Sequence, residues 1–117
     1  MAELKSRFEK LSLQFNDLQN NSSELYQTRS KLETQYQENK IVLEEFENLN
    51  EDSKIYKLTG PVLLPQDYSE AKLNVSKRIE FIQDEIKRVE QKIEENEKNM
   101  ENTRDNLLEI RSKIQAS

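Results

Sequence analysis

The chain has 117 residues, of which 35% are charged and only 33% hydrophobic, and it carries a net charge of −5. That is too little apolar material for a compact core of this length, and the acidic balance argues against a nucleic-acid backbone as the main partner. Cysteine and histidine are absent, which excludes disulfides, thiol chemistry, the common zinc sites and serine–histidine catalysis.

One glycine and two prolines leave little to interrupt helices, so regular apolar spacing among many charges indicates long helices and coiled coil. The segment Met1-Ala2-Glu3-Leu4-Lys5 is not an apolar signal region, and no run is long enough to cross a bilayer. A soluble cytoplasmic protein is expected. No phosphate-binding loop is present and no cofactor or metal is called for. The abundant carboxylates have the spacing of solvated helix faces, which offers nothing to an enzyme.

The first predicted helix covers residues 3–51. Leu4, Phe8, Leu11, Phe15, Leu18, Leu25, Leu32, Tyr36, Leu43 and Phe46 fit one unbroken heptad frame with Phe8 at position a and Leu11 at position d. Ten of the thirteen a and d slots are apolar, and Ser22, Arg29 and Asn39 fill the rest. A stripe this narrow over six heptads is a coiled-coil seam rather than the face of a globular helix. Asn20-Asn21-Ser22-Ser23 is poor helix material, but the frame resumes in phase at Leu25, so a continuous, locally weak helix is expected.

Between the arms, residues 54–65 hold the only glycine and both prolines. The β-formers Ile55, Tyr56 and Leu58 precede Thr59-Gly60-Pro61, and Val62, Leu63 and Leu64 follow it. Gly60 permits a tight reversal, so the segment reads as a β-hairpin; an irregular apolar loop is the alternative. A lone hairpin is marginal in water and leaves two strand edges that need partners, which points to oligomerisation.

The second predicted helix covers residues 67–116. Asp67 with Glu70 resembles a capping box, and Ser69 is a rival cap. Its seam reads Val75, Ile79, Ile82, Ile86, Val89, Ile93, Asn96, Met100, Thr103, Leu107, Ile110 and Ile114. The fold class is therefore mainly α: an antiparallel intramolecular coiled coil of two long helices joined by a single β-hairpin, in one domain spanning 1–117. A parallel dimer of extended chains is the alternative. In an antiparallel pair the facing residue numbers sum to a constant, and sums of 118 and 125 both suit the turn. A sum of 125 sets Ser22 against Thr103 and Arg29 against Asn96. It is preferred because an unmatched polar group in an apolar layer costs on the order of 1–3 kcal/mol.

Several stretches carry a family resemblance. They are Lys31-Leu32-Glu33-Thr34-Gln35, Asn39-Lys40-Ile41-Val42-Leu43-Glu44-Glu45-Phe46, Tyr56-Lys57-Leu58-Thr59-Gly60 with Val62-Leu63-Leu64, Ser69-Glu70-Ala71, Asn74-Val75 and Lys77-Arg78-Ile79-Glu80-Phe81-Ile82. With the order helix, hairpin, helix, the chain resembles the β-type subunits of prefoldin, nearest to the eukaryotic subunit 6 branch. Pro61 departs from the family pattern and bears on the turn type.

The resemblance implies a hetero-hexamer of α-type and β-type subunits whose hairpins join into a β-barrel. It further implies ATP-independent holding of unfolded proteins, actin and tubulin above all, at the coiled-coil tips, and their transfer to the cytosolic chaperonin. Carried over by position, Ile55, Tyr56, Leu58, Gly60, Val62, Leu63 and Leu64 would form the assembly hairpin. Leu4, Phe8, Leu11, Leu13, Leu107, Leu108, Ile110 and Ile114 would form the client-binding tips. Leu13 and Leu108 lie off the seam and are expected to be exposed, whereas Phe8, Phe15, Leu107 and Ile110 fit the seam and could simply close the coiled coil. A structural tether or cytoskeletal assembly factor is the alternative function, and it would not need the hairpin.

Overall fold

A computed structural model of the chain describes residues 2–48 and 65–116, the side chains of 65–67 aside. The described residues form two helices, α1 (Ala2–Asn48) and α2 (Pro65–Ala116), and no strand. The expected hairpin residues Ile55, Tyr56, Leu58, Gly60, Val62, Leu63 and Leu64 lie outside the described residues, as do residues 49–51 of the predicted first arm.

Two details at the helix starts and interruptions follow from local chemistry. The helix α1 runs unbroken through Asn20-Asn21-Ser22-Ser23, because packing along a seam outweighs a few tenths of a kcal/mol of propensity per residue. The helix α2 already includes Pro65, so the sequence-based start at Asp67 was two residues late, and neither Asp67 nor Ser69 is the cap. Proline suits the first turn because its missing N–H has no intrahelical acceptor there in any case.

The chain divides into two compact units, residues 1–29 with 88–117 and residues 30–87. In each, a segment of α1 packs antiparallel against a segment of α2 of the same chain. In the second unit the seam runs through Leu32, Tyr36, Asn39, Leu43 and Phe46 on α1, all partly buried, and through Val75, Ile79 and Ile82 on α2, all buried. Tyr68 closes it: the ring stacks at an inclined 59° on Phe46, with centroids 5.6 Å apart, and the hydroxyl donates a hydrogen bond to the Phe46 carbonyl. That carbonyl lies in the last turn of α1, where intrahelical donors run out.

In the first unit the α1 slots from Leu4 to Arg29 are each partly buried. Opposite them, Val89, Ile93, Asn96, Thr103 and Ile110 are buried. Every a and d position expected from the heptad frame is buried or partly buried among the described residues. No residue of α1 is fully buried. Its seam is built of long Leu, Phe and Tyr side chains, whose ends protrude from a two-helix pair, while the compact Ile and Val of α2 are enclosed.

The register differs from the expectation. In the first unit, Asn21–Asn96, Tyr26–Glu97 and Arg29–Glu90 have residue-number sums of 117, 123 and 119. In the second, Phe46–Tyr68, Asn39–Arg78 and Tyr36–Gln83 give 114, 117 and 119. Each set scatters about 118, one heptad from the preferred 125. The reason is that polar slots find partners outside their own layer. Asn96 Nδ2 donates to the Leu18 carbonyl at 2.9 Å, and its Oδ1 accepts from Asn21 Nδ2 at 3.0 Å. Arg29 reaches out to Glu90 at 3.7 Å. Asn39 Nδ2 donates to the Gln35 carbonyl one turn back at 2.7 Å, and its Oδ1 accepts from Arg78 at 3.4 Å. With the Asn96 and Asn39 amides hydrogen-bonded and an Arg29 terminal nitrogen at Glu90, matching polar layers brings no advantage.

Candidate functional site

The first unit brings the N-terminal end of α1 beside the C-terminal end of α2, and with them the residues expected at the tips. Leu4, Phe8 and Leu11 on α1, and Leu107 and Ile114 on α2, are half-buried in the seam, while Ile110 is buried. Leu13 and Leu108 stand off the seam and are 64% and 57% exposed. Their exposure follows from the frame, since each is one or two residues from a seam position and so is rotated away from the facing helix.

A groove of about 320 Å³ opens between the two helix ends. Leu11 and Ile110 line it with Asn106 and Glu109, and Arg7, Lys10 and Lys113 complete the lining. Lys113 is held by Glu109 of the same helix at 3.4 Å. A second depression of about 210 Å³ lies beside Phe15, lined by Met100, Glu97, Glu101 and Arg104. Both are shallow, apolar at the centre and charged at the rim. They can take up an apolar side chain by contact, without directed bonds to a defined ligand.

Farther along the first unit, the Tyr26 hydroxyl donates to Glu97 Oε1 at 2.5 Å. That hydrogen bond holds the phenol above its ordinary value of 10.0, helped by partial loss of hydration and the Glu97 charge and opposed by Arg29. Among the described residues no three Asp, Glu, His or Cys side chains are grouped to hold a metal ion, and no helix is long and apolar enough to cross a membrane.

Sequence reasoning passed over two features of the molecule. Tyr68 was omitted from the seam although it stands one heptad before Val75. The groove cations Arg7, Lys10 and Lys113 were not singled out. Nothing in one helix's periodicity signals that charges from two chain ends share a rim.

In each unit two helical segments pack antiparallel along a heptad seam, which defines a class: intramolecular antiparallel coiled coils. The prefoldin subunit family model matches residues 9–113, and the chain belongs to that family of chaperone components. It is 50% identical over 100 residues to "Prefoldin subunit 6" of Saccharomyces cerevisiae, covering 86% of this chain and 88% of that protein. It is 38% identical to the Arabidopsis thaliana protein of the same name over 109 residues, covering 85% and 84% of the two chains. Identity to the Homo sapiens protein of that name is 38% over 101 residues, covering 86% and 78%. No solved structure matches.

Proposed function

We propose that the chain acts as one prefoldin-like domain within a hetero-hexamer of α-type and β-type prefoldin subunits. Its assembly element is the segment 54–64, as a β-hairpin whose edges pair with those of neighbouring subunits. The assembled particle holds unfolded proteins without nucleotide hydrolysis. Its clients include actin and tubulin, and it passes them to the cytosolic chaperonin in the cytoplasm. In this chain the client surface is formed by Leu4, Phe8, Leu11, Leu13, Leu107, Leu108, Ile110 and Ile114.

The observation that carries this reading is the openness of the apolar helix ends. Leu13 and Leu108 are mostly exposed, and Leu11 lines an open groove. Single exposed apolar residues also stand away from these ends, Phe81 at 64% among them, so the open groove lined by Leu11 and Ile110 is what adds weight to the exposure of Leu13 and Leu108. A surface that must accept many unrelated unfolded segments needs apolar area without a shaped pocket. Membership of the prefoldin subunit family supports the same reading.

The test compares three assemblies, each purified from cells with its partners. Deleting residues 1–11 and 109–117 should leave the hexamer intact but abolish suppression of aggregation of a denatured client. Replacing Leu58 and Val62 with Asp should release the chain from the complex while circular dichroism reports undiminished helix. Full holding by the truncated assembly would reject the tip assignment. Unchanged stoichiometry with L58D and V62D would reject the hairpin.

A further inference from the structure

We propose that the groove between the helix ends favours unfolded segments in which an apolar side chain is flanked by Asp or Glu. This inference rests on the holding reading and adds a charge preference to it.

The lining combines two chemistries. Leu11 and Ile110 offer an apolar floor, and Arg7, Lys10 and Lys113 bring three cations from both helices around it. Lys113 is engaged by Glu109, whereas Arg7 and Lys10 take part in no ion pair among the described residues. Two cations beside an apolar floor are thus available to a carboxylate brought in by the segment that fills it.

The same asymmetry is written along the chain. Residues 1–15 with 103–117 contain six Lys or Arg (Lys5, Arg7, Lys10, Arg104, Arg111, Lys113) and four Asp or Glu (Glu3, Glu9, Asp105, Glu109), a balance of +2. The whole chain carries −5, so the remainder carries −7. Two other grooves among the described residues lack this character: that of Ser30 to Ile41 with Ile86 contains Glu33 and Glu38 and no cation, and that beside Phe15 has two carboxylates to one arginine.

Range decides which charge a segment feels. At physiological salt, interactions between exposed charges are screened over about 8 Å. A segment at the helix ends therefore responds chiefly to Arg7 and Lys10, with Lys113 paired to Glu109, and not to the net charge of the chain. An acidic segment is repelled elsewhere along the helices and concentrated at this groove. A Lys- or Arg-flanked segment meets like charge where its apolar residue must enter.

The experiment uses the assembled complex with the full-length chain and three short, unstructured, photo-crosslinking peptides. They share their apolar residues and carry Asp and Glu, Ser, or Lys flanks; adducts are scored on this chain alone. The acidic peptide is expected to label it about tenfold more than the lysine peptide, with the neutral one between and the gap closing at high salt. Replacing Arg7 and Lys10 together by Glu should reverse the order, while Arg7→Lys with Lys10→Arg should preserve it. These side chains are exposed, and unchanged helix content in both variants excludes misfolding as the cause. Equal labelling by all three peptides, or an order unmoved by charge reversal, overturns the proposal. If the assembly still suppresses client aggregation in that case, the holding reading survives it. Absence of both labelling and holding rejects the two together.

Discussion

The register of the two helices can be tested with paired cysteines, because the chain contains none of its own. With a residue-number sum near 118, Leu25 faces Ile93. Sliding the helices to 125 would bring Met100 there instead, a relative displacement of about 10 Å at 1.5 Å per residue. A disulfide tolerates Cα separations of only about 4.4–6.8 Å, so one substitution pair can bridge and the other cannot. Mild oxidation should crosslink Leu25→Cys with Ile93→Cys rapidly and Leu25→Cys with Met100→Cys hardly at all. The energy behind this choice is concentrated at Asn96. It is 4% exposed, donates to the Leu18 carbonyl and accepts from Asn21. A slip by one heptad takes away both partners and sets Arg29 opposite the buried amide instead; an amide left unsatisfied by that exchange costs about 1–3 kcal/mol. That corresponds to roughly a five- to 150-fold population bias. Asn96→Leu removes this bias. The two lost hydrogen bonds are offset by burying an apolar side chain, so thermal stability should change little while the Leu25–Met100 crosslink becomes detectable. Equal oxidation of the two cysteine pairs in the chain with Asn96 intact, or a crosslink ratio indifferent to Asn96→Leu, would refute this reasoning.

Two further outcomes are expected. Tyr68→Phe keeps the ring against Phe46 but deletes the hydroxyl that donates to its carbonyl; it should cost about 1 kcal/mol in denaturant or thermal unfolding, and an unchanged midpoint would contradict the assigned bond. The Tyr26 phenol is held above its ordinary value by the Glu97 carboxylate. Its contribution is therefore fully present below the unfolded value of about 10 and lost as pH rises through the raised one. Relative to Tyr26→Phe, any stability advantage of Tyr26 should vanish only in that alkaline range, and phenolate absorbance should show the variant lacking a tyrosine that titrates above its ordinary value. An advantage that disappears near neutrality would contradict the assignment.

Much of this molecule was readable from residue order because a heptad seam is a property of one helix at a time. Phe8, Leu11, Phe15 and their successors mark an angular stripe whatever lies opposite, and the structure buries that stripe. Leu13 and Leu108 could be placed outside it by the same count of degrees per residue. The family was legible as well, from stretches such as Lys77-Arg78-Ile79-Glu80-Phe81-Ile82. Pro65 was misplaced because an expected cap at Asp67 drew the helix start too late, and Tyr68, inside the predicted helix, was left out because the seam was begun one heptad later, at Val75.

The tertiary structure alone decided how the two stripes meet. Sliding one helix by seven residues leaves every periodicity intact and changes every partner, so periodicity holds no information about register. What distinguishes the registers is where individual polar groups find partners on the other helix: Asn96 at the Leu18 carbonyl, Arg29 at Glu90 and Asn39 with Arg78. Those bonds depend on distances across helices, which one-dimensional spacing does not contain. The meeting of Arg7 and Lys10 with Lys113 around one apolar floor is of the same kind: residues about a hundred positions apart become neighbours only when the chain reverses.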